Sequence, residues 1–266
     1  MLVSQYFVFF IFFSFLGWVW ETIYCSSTEK HFSNRGFLFG PICPIYGASI
    51  VAGIILFTQI HIFNPEDMAL WQIFLICAIG SAIAEFGTSY YLEKRFHARW
   101  WDYSNVPFNL QGRICLPCSI AFGLAGVVLV HWMLPELNHI EMVVSPFIFE
   151  ILALILMGIF GADLALTEAS LSTLLQKIEA TDKEFTERAE AAYQAISNSP
   201  QRFEKRVNAY EEELRDRTKL IADGMTWNQR NKFGSMRSFR SSRHGHHEFR
   251  VGEHIREALR ESRVRR

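Results

Sequence analysis

Five mostly apolar stretches, each of roughly 20 residues, occupy the first two-thirds of the chain, at 5–25, 42–63, 69–92, 114–134 and 143–166. A bilayer core about 30 Å thick takes about 20 helical residues at about 1.5 Å rise each, so each stretch predicts a membrane-spanning helix. Hydrocarbon offers the backbone no partner, and a helix satisfies its own. A buried soluble core competes with this reading, but five such segments in one chain weigh against it. The pattern changes near Thr167. From Leu171 apolar residues recur at helical spacing (Leu171, Leu175, Ile178, Phe185, Ala189, Ala192, Ile196), with Asp182 out of place. Ser197-Asn198-Ser199-Pro200 reads as a stop and restart, with Ser199 capping and Pro200 in the first turn. A second rhythm follows at Phe203, Val207, Tyr210, Leu214 and Ile221, with Arg217 out of place. The pattern thus predicts an all-α fold in three parts. Residues 1–166 form a polytopic bundle of five transmembrane helices. Residues 167–224 form an amphipathic helical hairpin or a dimeric coiled coil. Residues 225–266 form a basic, loosely ordered C-terminal tail, with one more short helix at 253–263.

Charge adds an orientation. Lys30 and Arg35 lie between the first two stretches, and Lys94, Arg95, Arg99 and Arg113 between the third and fourth. The gaps at 64–68 and 135–142 hold no Lys or Arg. Basic loops stay cytoplasmic, which predicts the N-terminus outside, the tail inside, and a multi-pass protein of the inner (cytoplasmic) membrane. No basic residue precedes Lys30, so the start does not resemble a cleaved signal peptide. Residues 1–166 carry six basic and eleven acidic residues, the remainder twenty and sixteen. A tail excess of this size suits an anionic lipid leaflet and argues against nucleic acid as a partner. Twenty-four Phe and seven Trp fit a surface whose partner is membrane lipid. Of five cysteines, Cys25, Cys43, Cys115 and Cys118 fall near the cytoplasmic side, where thiols stay reduced.

Candidate chemistry sits where polar residues interrupt the apolar stretches. Glu21, Glu85, Glu150 and Asp163 are ionisable residues within spans, and such residues face a bundle interior or an aqueous cavity. Helix direction puts Glu21, Glu85 and Asp163 in the cytoplasmic half, at the depth of Arg35 and Arg113, and Glu150 in the outer half. The expectation is a polar intramembrane cluster of Glu21, Arg35, Glu85, Arg113 and Asp163, with Arg113 facing Glu85 and Arg35 facing Glu21. Two uses stay open: ion pairs that fix helix packing, or a polar cavity for a substrate or proton. The loop Asn34-Arg35-Gly36-Phe37-Leu38-Phe39-Gly40-Pro41 is too apolar for an ordinary surface loop. One expectation is that it folds back into the bundle, where protein or water must satisfy its backbone. The loop His97-Ala98-Arg99-Trp100-Trp101-Asp102-Tyr103 reads as an interfacial anchor. Gly40-Pro41-Ile42-Cys43 parallels Gly112-Arg113-Ile114-Cys115, which suggests that the first two helix pairs repeat. Cys115-Leu116-Pro117-Cys118 has the spacing of a redox dithiol at a helix start, which keeps a membrane thiol-redox enzyme open as an alternative. Its cytoplasmic placement and the lack of a second shuttle pair favour two ordinary thiols and a chain that is not an enzyme. His244, His246 and His247 read as a flexible tract; no metal or cofactor is expected.

The run Phe15-Leu16-Gly17-Trp18-Val19-Trp20-Glu21, then Asn34-Arg35-Gly36-Phe37-Leu38, Gly40-Pro41 and Cys43-Pro44-Ile45-Tyr46-Gly47, resembles the bacterial putative ABC-transporter type IV permease family. So does the stretch from His97 through Trp100-Trp101-Asp102-Tyr103 to Asn109 and Gly112-Arg113-Ile114-Cys115. The resemblance covers approximately residues 5–160, and Trp227-Asn228-Gln229-Arg230 is similar to tails in that family. It implies a permease-like component of a transport system and adds Asn34, Gly36, Gly40, Pro41, Trp100, Trp101, Asp102, Asn109 and Gly112 as loop-motif residues. No Gly-x-x-x-x-Gly-Lys-Ser/Thr occurs, so an ATPase subunit has to be a separate chain. The alternative from another class is a membrane scaffold or regulator whose tail, at 171–221, binds a cytoplasmic protein. The coiled-coil form of that segment implies a homo-oligomer.

Overall fold

Residues 3–30, 32–60, 64–196, 200–239 and 251–264 are described by a computed structural model. Helix α1 (Val3–Glu29) is apolar on nearly every side and ends where Lys30 turns to a left-handed φ of 55°. Helix α2 (Pro44–Gln59) opens after an extended Cys43 with proline in its first turn, where the missing N–H is not needed. Helix α3 (Leu70–Phe96) ends with Lys94 and Arg95 in its last turn, which suits the negative end of the helix dipole. His97 closes it at φ 52°, its N–H donating to the Glu93 carbonyl at 2.9 Å. Helices α4 (Leu116–Val128) and α5 (Leu134–Val143) flank a five-residue π segment, Leu129–Met133. Then come α6 (Pro146–Ile196), α7 (Pro200–Gly224), α8 (Trp227–Ser235) and α9 (Val251–Val264). Short antiparallel bridges join β1 (Ala98–Arg99) to β4 (Ser238–Phe239) and β2 (Asn109–Leu110) to β3 (Ile114–Cys115).

Among the described residues, four helical segments are long and apolar enough to cross a membrane: Val3–Thr28, Leu70–Phe96, Leu116–Ile140 and Pro146–Arg188. The remaining stretch yields α2, whose 16 residues span about 24 Å, less than a hydrocarbon core. Two boundaries differ from the sequence reading. Residues 135–142, expected as an outer loop, are helical. In an α-helix the Pro135 ring would strike the carbonyl four residues back. The π segment just before it opens the ladder, and the Leu134 N–H reaches the Leu129 carbonyl instead. The second boundary is Thr167, where composition changes but the helix does not stop. No proline lies between Pro146 and Pro200, and α6 continues for 51 residues.

The chain divides into two units. In the first (Met1–Tyr91 with Trp100–Thr167), Phe9 and Phe13 of α1 meet Ile54 and Phe57 of α2, Ile73 of α3, Leu134 and Leu137 of α5, and Phe149 of α6. Phe9 and Phe149 meet edge-on at 6.0 Å, Phe10 and Phe160 at 5.4 Å. Trp71, Ile83, Leu154 and Leu166 stay exposed, as lipid-facing side chains do. Glu150 is exposed near the start of α6 rather than turned into the bundle.

The second unit comprises Leu92–Arg99 and Glu168–Arg266. Arg217 pairs with Glu184 at 2.8 Å and Arg188 with Glu213 at 3.3 Å, so α6 and α7 run antiparallel here. Both guanidinium groups lie over the Phe185 ring, at 5.7 Å for Arg188 and 5.6 Å for Arg217. Phe185 and Leu214 are fully buried. The segment beyond Gly224, expected to be loosely ordered, is built around a core where it is described. Thr226 and Gln229 form a capping box. Gln229 also donates to Ser170 Oγ at 3.0 Å, and Arg230 holds the Asp223 and Met225 carbonyls at 2.9 and 3.1 Å. Phe233, Met236, Val251, Ile255 and Leu259 are buried. The restart at Ser197-Asn198-Ser199 and the tract His244, His246 and His247 lie outside the described residues.

Candidate functional site

The first loop does fold into protein. Asn34 stands at its neck: its Oδ1 accepts from Trp18 Nε1 at 2.7 Å, and its Nδ2 donates to the Phe39 carbonyl at 3.3 Å. Gly36 takes φ 81°, a conformation that a side chain would strain. Leu38 is fully buried. Pro41 centres a tight turn in which the Ile42 N–H reaches the Gly40 carbonyl at 2.9 Å. The loop's inward N–H groups end on α6: Gly40 donates to Asp163 Oδ2 at 2.9 Å and Phe39 to Thr167 Oγ1 at 3.0 Å. Thr167 Oγ1 donates in turn to Asp163 Oδ1 at 3.2 Å. The chain then returns to α1, with the Cys43 N–H on the Ser14 carbonyl at 2.9 Å.

Arg35 is buried and pairs with Glu21 as expected, Nε to Oε1 at 3.3 Å. The other carboxylate oxygen accepts from Cys43 Sγ at 3.5 Å, and Arg35 Nη2 reaches the Trp100 carbonyl at 3.4 Å. Trp100 is buried edge-on against Phe37, 5.5 Å between ring centres. The rest of that loop holds itself together. Trp101 Nε1 donates to the Arg113 carbonyl at 2.8 Å, and Asp102 Oδ1 accepts the Ser104 N–H at 2.9 Å. Asn109 accepts from the Gly112 N–H at 3.0 Å and donates to the Val106 carbonyl at 2.7 Å. Gly112 has φ 68°, and a Cβ there would lie 2.6 Å from Asp102 Oδ1. The motif residues of this loop therefore build a scaffold for Arg113 and Tyr103.

Arg113 does not take the predicted partner. Its Nη1 donates to Ser89 Oγ at 3.3 Å, and its guanidinium lies over the rings of Phe86 and Tyr90, at 5.6 and 5.4 Å. Ser89 is one helical turn beyond Glu85 on α3, so Arg113 docks one turn nearer the helix end than depth matching suggested. Glu85 is buried, and its Oε1 accepts from the Tyr103 hydroxyl at 3.4 Å. Its Oε2 has no protein hydrogen-bond partner. Burial first, then the Glu85 charge and the neighbouring Cys118, push the Tyr103 phenol up, so it stays a proton donor. On α2, the Tyr46 ring lies against Gly17 of α1 and edge-on to Phe122 of α4 at 6.1 Å.

The expected five-residue cluster is thus split. Glu21 and Arg35 form one pair, Glu85 faces Tyr103, Arg113 faces Ser89 and aromatic rings, and Asp163 serves the first loop. The partners missed in the sequence are Thr167, Ser89 and Tyr103. Thr167 had a signal, lying one helical turn from Asp163 on α6. The matching loop motifs agree at their caps: Cys43 and Cys115 are both extended residues opening a proline-bearing helix. Their left-handed glycines do not match, since Gly36 lies seven residues before Cys43 and Gly112 three before Cys115.

Apolar helices of this length around a buried polar interior define a multi-pass membrane protein. The family described as "Putative ABC-transporter type IV" matches residues 8–168, more than half of the chain, and the protein belongs to that family. Neither a curated protein nor a solved structure matches it.

Proposed function

We propose that the chain is the membrane-embedded, permease-like component of a transport system, with its ATPase on a separate chain. The observation that carries this is the Glu85 carboxylate, buried in an apolar bundle with one oxygen lacking any protein partner. Such a group is costly in a bilayer and is kept where water, an ion or a substrate reaches it. Ser14 Oγ and Thr22 Oγ1 on α1 are also buried without a partner. A dry scaffold would pair these groups off. In this reading α2 with its extended flanks is a fifth crossing, the N-terminus is outside, the tail lies in the cytoplasm of a cell bounded by this inner membrane, and the ATPase docks on 171–221. Lys183, Glu187, Asp216 and Lys219 supply exposed charges there.

The test is purification of the tagged full chain from native membranes, with nucleotide hydrolysis as the readout. A co-purifying ATPase subunit, whose hydrolysis the Glu85→Gln variant uncouples or silences, is the expected result. A chain that purifies without hydrolytic activity, and whose Glu85→Gln variant supports growth like wild type, would overturn the reading.

A further inference from the structure

We propose that Cys115 and Cys118 form a dithiol–disulfide redox site, with Tyr103 and Glu85 as its proton relay. The two sulfurs lie 2.7 Å apart, so a bond of about 2.05 Å needs a shift of less than an ångström. Cys115 is the extended residue that opens α4, and Cys118 sits in the first turn of that helix. The Tyr103 hydroxyl donates to Glu85 Oε1 at 3.4 Å and lies close enough to Cys118 for the two groups to interact electrostatically. Glu85 is more than nine-tenths buried, and its second oxygen has no partner. With the Tyr103 hydroxyl it sets an acceptor and a proton carrier near a thiol pair, which ordinary packing does not call for.

The co-reactant is a small-molecule disulfide such as oxidised glutathione. Cys118 is the more accessible of the two and attacks first. Its proton passes through Tyr103 to Glu85, its sulfur bonds to one sulfur of the disulfide, and the other sulfur leaves as a thiolate that takes up this proton. Cys115 then attacks the Cys118 sulfur and expels the second thiol, which carries off the Cys115 proton. The pair loses two electrons and two protons; the disulfide gains both as two thiols.

The inference does not depend on transport, and the full-length protein in lipid nanodiscs tests it. The protein is equilibrated with glutathione buffers of rising oxidised fraction, quenched in acid, alkylated with a maleimide and mapped by mass spectrometry. Cys115 and Cys118 should lose alkylation together while Cys25, Cys43 and Cys77 keep it. Cys115→Ser should trap a Cys118–glutathione mixed disulfide, which Cys118→Ser should not form. Tyr103→Phe should slow oxidation at least about tenfold and leave the midpoint in place, because a relay acts on rate. Five cysteines alkylated alike across the whole series in the wild-type chain would overturn the site, whatever the variants do. A Tyr103→Phe variant that oxidises at the wild-type rate would overturn the relay.

Discussion

At Gly36 a side chain would meet two obstacles at once. The backbone sits at φ 81°, and a Cβ would lie 2.7 Å from Cys43 Sγ and 2.9 Å from the Ile42 carbonyl. Gly36→Ala should therefore lower stability by about 1–3 kcal/mol. Gly53→Ala, on a helix face with open space around it, should be neutral or raise stability by up to about 1 kcal/mol. Thermal unfolding of the two variants in detergent checks the contrast. Arg35 carries a second prediction. Arg35→Ala leaves the Glu21 carboxylate without its cation, at a cost of about 3–5 kcal/mol if Glu21 stays ionised. Lys30→Ala, at an exposed position, should leave the melting temperature unchanged. The Glu21–Arg35 pair was legible because both partners are charged and fall at one depth. Asp163 was legible as a polar intrusion but not in its role. Its partner is a backbone N–H, Gly40, and every residue but proline carries one. Arg113 was misassigned because depth counts helical turns, and Ser89, one turn on, with the rings of Phe86 and Tyr90, offered it a better seat than a lone carboxylate.

Among the elements, the paired limbs of α6 and α7 make the sharpest test. Phe185 is sealed beneath Arg188 and Arg217. Phe185→Ser should destabilise this unit by about 3–5 kcal/mol, as other large-to-small core changes do. Tyr210→Ser, at a half-buried position, should cost far less. Urea unfolding followed by protease sensitivity of the tail separates the two. Four long helices were legible because hydropathy sums over about 20 residues and tolerates single exceptions. The π segment at Leu129–Met133 was not, since a change in hydrogen-bond ladder leaves no mark on hydropathy. Its one trace was Pro135, which read as the start of a loop. The long run of α6 was missed for a related reason. A switch from lipid-facing to water-facing residues looks like a boundary in composition, whereas a helix stops only for a cap, a proline or a glycine.

On the scale of the whole molecule, the alternation of basic and acidic gaps is the testable quantity. Reporter fusions after Glu66 and Pro135 should read outside, and those after Glu93 and Ala180 inside. A cytoplasmic signal at Glu66 would mean that the chain between Glu29 and Leu70 does not cross, which the 16-residue length of α2 makes a real outcome to measure. The overall class was legible in the sequence because lipid imposes one rule on every backbone group. The internal polar arrangement was less so, because side chains from distant segments meet only once the bundle has assembled. That sequence of events has a consequence for biosynthesis. Gly40 and its partner Asp163 are 123 residues apart. A ribosome adding about 5–20 residues per second leaves the first loop without its α6 acceptors for about 6–25 seconds after it has been made. During that interval the Phe39 and Gly40 N–H groups have only water to bind, so the loop must wait outside the hydrocarbon. A nascent chain stalled before Asp163 would leave the loop open to added protease, and one stalled well past Thr167 would shield it: the bundle closes on its first loop only as the last span is delivered.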